Sequence, residues 1–322
     1  MKKLTALLLI LTLSLFAFVS CKKDGGATDD GASSATVKIN IGVMSGPTGM
    51  GMAKLIADNG VDSDKYSFTV YASPDAGTAD LASGKLDMLC LPTNAAANLS
   101  GKKADYISTI AINCLGSLYL VTDSTAEITS VSDLAGKTIY TSVATSTTKP
   151  IIEYILEKNN VEAEIVVEAD HDTLVAKLAA GEAPIAVLPE PKVSAALLAN
   201  KTCAVDLNLS EEWSKVSETP LTMGCIVVKN TFLNANKSSV DAFLAEYKAS
   251  IEYIGNAENN ESAAQMIVDA GVLPKLPVAK SALTNLYGSI VYQDGAEMKA
   301  SLIGFYNAID CALPSDEFYY GK

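Results

Sequence analysis

The sequence predicts an α/β protein of two similar lobes, each a mixed sheet flanked by helices, with a cleft between them. Three observations predict it. Leu81-Ala82-Ser83-Gly84-Lys85-Leu86-Asp87-Met88-Leu89-Cys90-Leu91-Pro92 is echoed by Leu178-Ala179-Ala180-Gly181-Glu182-Ala183-Pro184-Ile185-Ala186-Val187-Leu188-Pro189. The register is constant, since 181 − 84 and 189 − 92 both give 97. A weaker echo precedes it, Ile41-Gly42-Val43-Met44-Ser45-Gly46 against Ile139-Tyr140-Thr141-Ser142-Val143-Ala144, each running into a helix-like stretch. The unit occurs twice, whereas a stacked solenoid needs about three or more copies, so paired lobes are the economical packing.

Residues 1–20 form a signal: Lys2 and Lys3 make a charged head, and the sixteen residues Leu4 to Val19 carry no charge. A spanning helix needs about 20 apolar residues, so this segment is short for one. Val19-Ser20-Cys21 closes it in a pattern that resembles the bacterial lipobox, with an ordinary signal and a chance Cys as the alternative. That resemblance implies lipidation of Cys21, palmitate included, and more than one acyl chain anchors stably. Residues 21–36 are rich in Gly, Ser, Ala and Asp, lack apolar periodicity and read as a flexible tether.

Val37 to Val43 alternates as a first strand, and Ser45-Gly46-Pro47-Thr48-Gly49 turns into a helix with Met52, Leu55 and Ile56 on its apolar face. Tyr66 to Tyr71 is a second strand, Thr78 to Ser83 a short helix, and Met88 to Leu91 a buried strand. Ile107 to Ile112 and Leu118 to Val121 read as further strands. The second unit begins near Asp123, with helix faces at Ile151, Ile152, Ile155, Leu156 and at Leu174, Val175, Leu178, Ala179. Met223 to Val228 is an apolar strand, and Val240, Phe243, Leu244, Tyr247, Ile251 and Ile254 fall on one helix face. Two more helices follow, the last near Met298 to Ile309. Returning the C-terminal part to the first lobe gives lobe 1 as 37–121 and 225–322 and lobe 2 as 122–224, with crossings near Leu120–Thr122 and Thr222–Cys225. Two crossings make a hinge.

Composition narrows the chemistry. The net charge of −13 becomes −15 without Lys2 and Lys3, a poor surface for nucleic acid. Every basic residue is Lys, so bidentate Arg clamps on carboxylate or sulfonate are ruled out. His171 is the single histidine, which excludes a His-based metal cluster; no cofactor or metal site is expected. Cys90, Cys114, Cys203, Cys225 and Cys311 form no C-x-x-C pair, and any disulfide among them stays undetermined.

The lipobox, the tether, the strand–Gly-rich turn–helix, Asp133-Leu134-Ala135-Gly136-Lys137 and Leu188-Pro189-Glu190-Pro191 together resemble an ABC-transporter substrate-binding lipoprotein. The resemblance is to the type II periplasmic binding proteins of nitrate, sulfonate, taurine and thiamine precursors, and covers Val37 to the C-terminus. It implies a type II two-lobed fold and capture of a small-molecule solute. It further implies delivery to an ABC permease and its ATPase by a monomer lipid-anchored to a bacterial membrane in the cell envelope. Some eukaryotic relatives of this fold make the thiamine pyrimidine with a consumable His and Cys-rich iron segments. One His, no Cys cluster and no Gly-x-Ser-x-Gly argue against an enzyme here. A non-transport surface lipoprotein is the other alternative.

Ligands of open α/β sheets sit beyond the carboxyl ends of strands. The candidate contacts therefore lie in strand-to-helix loops. Gly46, Thr48, Gly49 and Met50 would turn free N–H groups to a ligand, or merely cap a helix. Thr93 and Asn94 follow the first Leu-Pro and would orient a ligand or cap the next helix; Ser117 lies near a crossing. Thr145, Ser146 and Thr147 precede Pro150 and supply more hydroxyls than one cap requires. His171 lies between a strand and a helix, and Glu190, held between Pro189 and Pro191, is the sharpest expectation. Its carboxylate would take a protonated or N–H-bearing solute, which favours a heterocycle such as a pyrimidine precursor over a sulfate-like anion.

Overall fold

The computed structural model describes residues 37–123, 126–142 and 147–321. The signal, Cys21, the tether, Thr145 and Ser146 lie outside the described residues. The chain runs through Ile39–Met44 (β1), Pro47–Met50 (α1), Ala53–Asn59 (α2), Tyr66–Tyr71 (β2), Pro74–Ser83 (α3), Met88–Pro92 (β3), Thr93–Lys102 (α4) and Ile107–Leu115 (β4). It continues through Leu118–Thr122 (β5), Thr138–Ser142 (β6), Thr148–Lys158 (α5), Glu164–Glu168 (β7), His171–Ala179 (α6), Ile185–Pro189 (β8), Lys192–Ala199 (α7), Ala204–Asn208 (β9) and Leu209–Ser214 (α8). Thr222–Lys229 (β10), Asn230–Ala235 (α9), Lys237–Ile254 (α10), Asn260–Asp269 (α11), Leu276–Asn285 (α12), Ile290–Gln293 (β11) and Gly295–Ala308 (α13) complete it.

The strands form two mixed sheets, ordered β11-β4-β10-β3-β1-β2 and β7-β6-β8-β5-β9. In the first, β1 runs parallel to β2 and β3 while β10 is antiparallel to β3. In the second, β6 runs parallel to β7 and β8 while β5 is antiparallel to β8. The echo in the sequence is thus an echo in space: β3 and β8 occupy equivalent places, and their ends are related by the same offset of 97 residues. Each sheet takes its antiparallel inner strand from across a crossing, β5 leading into the second sheet and β10 returning to the first.

Burial follows the periodicities. The apolar face of α10 (Val240, Phe243, Leu244, Tyr247, Ile251, Ile254) is buried with β1, α2, α11 and α12 in one cluster. A second cluster is continuous between the sheets, joining Leu89 and Leu91 of β3 and Val227 of β10 to Leu118 and Leu120 of β5 and Val187 of β8. At its centre lies Trp213 of α8, fully buried between Tyr154 of α5 at 4.7 Å and Phe305 of α13 at 5.7 Å. Its indole N–H donates to the Thr219 carbonyl at 2.7 Å. Residues 36–322 accordingly form one compact unit.

The crossings lie slightly away from their predicted places. The chain leaves the first sheet after Leu115 and enters the second at Leu118, so β5, assigned from sequence to lobe 1 (37–121), belongs to the second sheet. The return is complete by Thr222, so the first three residues of β10 also change sheets. The reason is local: Gly116 has φ +43°, and a Cβ there would sit 1.8 Å from Ser210 Oγ, so only glycine turns the chain at this point. Its N–H donates to the Leu221 carbonyl at 2.7 Å, tying one crossing to the other. The helix expected over Thr78 to Ser83 starts earlier, at Pro74, because proline suits the first helical turn. Among the described residues no helix is long and apolar enough to cross a membrane.

Candidate ligand-binding cleft

A cavity of about 560 Å³ opens beyond the carboxyl ends of β1, β3 and β8, the place open α/β sheets reserve for ligands. The first sheet contributes Gly46, Pro47 and Thr48 of the β1–α1 turn, and Leu273 and Lys275 ahead of α12. The second contributes Thr147, His171 and the run Pro189 to Lys192, with Ser117 at the crossing between them. The two rims come close together. Gly46 has φ +96°, and a Cβ on it would lie 3.6 Å from Pro191 Cδ across the gap. First-turn or capping residues of α1, α5, α6, α7 and α12 all line the cavity, so five helix N-termini abut one space.

His171 is the first residue of α6, a helix whose start is fixed by Asp170 accepting from Thr173 N–H at 2.7 Å. Its Nδ1 lies 2.6 Å from Ser142 Oγ, while Nε2 is buried without a protein partner. Burial, and then the positive charge of Lys192, push its pKa below the ordinary histidine value. The ring therefore stays neutral near pH 7, and Nε2 takes whichever role, donor or acceptor, the Ser142 contact leaves to it. Lys192 in turn pairs with Asp172 at 2.5 Å, joining the first turns of α6 and α7.

Glu190 lines the cavity and is only 2 % exposed. Its N–H donates to the Ser117 carbonyl at 2.9 Å, and the peptide to Pro191 is cis. The carboxylate is already engaged. Oε1 accepts from Ser194 Oγ at 3.0 Å and from Asn285 Nδ2 at 2.5 Å; Oε2 accepts from Ser194 N–H at 3.2 Å. Burial raises its pKa, and these hydrogen bonds oppose the rise.

Of the sequence-predicted contacts, Gly46, Thr48, Ser117, Thr147, His171 and Glu190 are brought to the cavity wall. Four are not. Gly49 and Met50 are buried beneath the turn that carries Thr48. Thr93 is fully buried, donating from Oγ1 to the Thr222 carbonyl at 2.9 Å, and Asn94 is buried beside it in α4. After Pro92, β3 passes directly into α4, which turns these two side chains into the core. Sequence reasoning missed Met44, Met223, Lys192 and the Leu273–Lys275 segment. One signal was available: of five Leu-Pro pairs in the chain, those at 91–92, 188–189 and 273–274 have prolines that line the cavity. The signal is imperfect, since the prolines of Leu276-Pro277 and Leu313-Pro314 do not.

A two-lobed periplasmic-binding-protein fold with its cleft between the lobes is the class that this geometry defines. Residues 110–260 match the NMT1/THI5-like family model. Among solved structures the chain resembles an ABC transporter protein from Parabacteroides distasonis, at 20% identity and a TM-score of 0.72, covering 88% of this chain and 98% of that one. It also resembles the periplasmic aliphatic sulphonate binding protein SsuA from Escherichia coli, at 16% identity and 0.69, covering 88% and 92%. A third is the ligand-binding component of an ABC-type import system from Staphylococcus aureus, solved with zinc bound, at 13% identity and 0.68, covering 88% and 96%. No curated protein matches at the level of sequence. The matched domain and the fold agree with the type II periplasmic-binding-protein family that the sequence resembles.

Proposed function

We propose that the protein is the solute-binding component of an ABC import system, which encloses a small polar molecule between its lobes and hands it to a membrane permease. The observation that carries this reading is the interlobe cavity, walled by both lobes, with His171, the single histidine of the chain, in its wall beside Thr48, Ser117 and Thr147. The proposal includes a monomeric protein held in the cell envelope by a lipid on Cys21. It includes no catalysis. Ser142 and His171 are in contact, but Ser142 is buried behind the ring and is absent from the cavity lining, so it orients the imidazole and is not presented as a nucleophile.

The solute reading carries two chemistries. A thiamine-precursor-like heterocycle would use His171 and the hydroxyls of Thr48, Ser117 and Thr147. The donor set now weighs the other way. Glu190 is occupied, Lys192 is paired with Asp172, no Phe, Tyr or Trp is among the described lining residues, and Lys275 and the N-termini of α6, α7 and α12 are there. These features favour a compact solute with an aliphatic body and an anionic or acceptor-rich end. Native mass spectrometry of the purified chain, followed by calorimetry with any co-purified molecule and its neutral and anionic analogues, tests both levels. Saturable 1:1 binding is expected, with Lys275→Ala weakening an anion about threefold to tenfold. Failure of every co-purified and added small molecule to bind would overturn the receptor reading.

A further inference from the structure

Asn285 belongs to the first lobe, at the end of a helix whose Ala279, Ala282 and Leu283 pack into the cluster around β1, α2 and α10. Yet both polar ends of this residue are held by the second lobe. Its side-chain amide donates to Glu190 Oε1 at 2.5 Å, with Ser194 Oγ at 3.5 Å alongside. Its main-chain carbonyl, one of those a helix C-terminus leaves without an internal partner, accepts from the Tyr119 hydroxyl at 2.5 Å. Glu190 and Tyr119 sit on neighbouring, hydrogen-bonded strands or their ends, and both are nearly inaccessible to water. The two hydrogen bonds therefore act at one point, and they cannot survive separation of α7 from α12.

We infer that Glu190, Tyr119 and Asn285 form an interlobe clasp that holds the lobes together independently of any solute and sets the fraction of molecules in the closed arrangement. The inference rests on the receptor reading and adds regulation to it. The other end of α12 supplies Lys275 and Val278 to the cavity wall, so the helix clasped at Asn285 is also a helix that faces the solute. A molecule whose closed state is only partly populated binds with an apparent dissociation constant enlarged by that fraction. The clasp thereby tunes affinity through the closed fraction, apart from any contact with the ligand. It also gives the most buried carboxylate of the cavity wall a function other than recognition.

Double electron–electron resonance in the absence of added solute tests it, with nitroxides at Asp75→Cys on α3 and Ala176→Cys on α6. The full-length chain would carry Cys21→Ser and Cys311→Ser; both label sites are exposed. Asn285→Leu removes the amide at similar size. Tyr119→Phe removes one hydroxyl and keeps the ring, so it remains informative if the first variant is poorly folded. The long-distance population is expected to grow about threefold to tenfold in both, as loss of a charged or buried hydrogen bond implies. Distance distributions that superimpose on the parent in both variants would overturn the clasp. Because no solute enters the measurement, a chain that opens in these variants but binds nothing keeps the clasp and loses only the receptor reading.

Discussion

Two residues in the cleft are expected to give the protein opposite pH dependences. Buried Glu190 has its pKa raised above the ordinary 4.5, so the folded chain keeps this proton to higher pH than the unfolded chain. Its stabilising effect is complete below about 4.5 and declines as pH rises through the raised value. His171 has its pKa lowered below 6.5 by burial, so the unfolded chain protonates first as pH falls. Stability is therefore lost from about 6.5 downward, until the folded-state value is passed. The Glu190 slope begins above the ordinary 4.5 and the His171 slope below the ordinary 6.5, so the two oppose each other wherever they overlap. Urea midpoints measured through both slopes should fall with rising pH in His171→Gln and rise with it in Glu190→Gln. Parallel profiles for parent and both variants would contradict the assignment.

At the scale of elements, the turn at Gly116 is the most demanding position of the hinge. Alanine there must accept φ +43° and push Ser210 aside. Gly116→Ala is expected to destabilise by about 1–3 kcal/mol in urea unfolding, and a Ser210→Ala partner change should recover part of that loss. What the sequence revealed about elements depended on signal type. Periodic faces such as that of α10, and strands repeated at a fixed offset such as β3 and β8, were legible because burial imposes their spacing. The short β9, α8 and β11 were not, since four to six residues hold too little pattern to separate strand from loop. The site was half legible. Residues in loops after repeated strands could be placed on the cavity wall, but the turn of α4 that buries Thr93 and Asn94 is a matter of rotation about a helix axis. The contribution of α12 comes from far along the chain and follows from packing alone.

For the whole molecule, the shared apolar cluster means that two lobes need not be two folding units. Phe305, from α13 of the first lobe, packs on Trp213 of the second. Phe305→Ala is expected to lower stability by about 3–5 kcal/mol while leaving one cooperative transition in calorimetry. Two resolved transitions would show that the lobes fold separately. A bound solute should raise that same transition, by about 2.7 kcal/mol at a hundredfold excess over its dissociation constant.

The seat of Trp213 has a practical consequence. It is the sole tryptophan of the chain, set between a tilted ring from each lobe and bonded through its indole N–H to the strand-approaching segment at Thr219. Its ultraviolet emission should be blue-shifted at rest and should change in intensity or wavelength whenever the lobes pivot. The protein thus carries its own optical gauge of opening, readable in a stopped-flow cuvette without any attached dye.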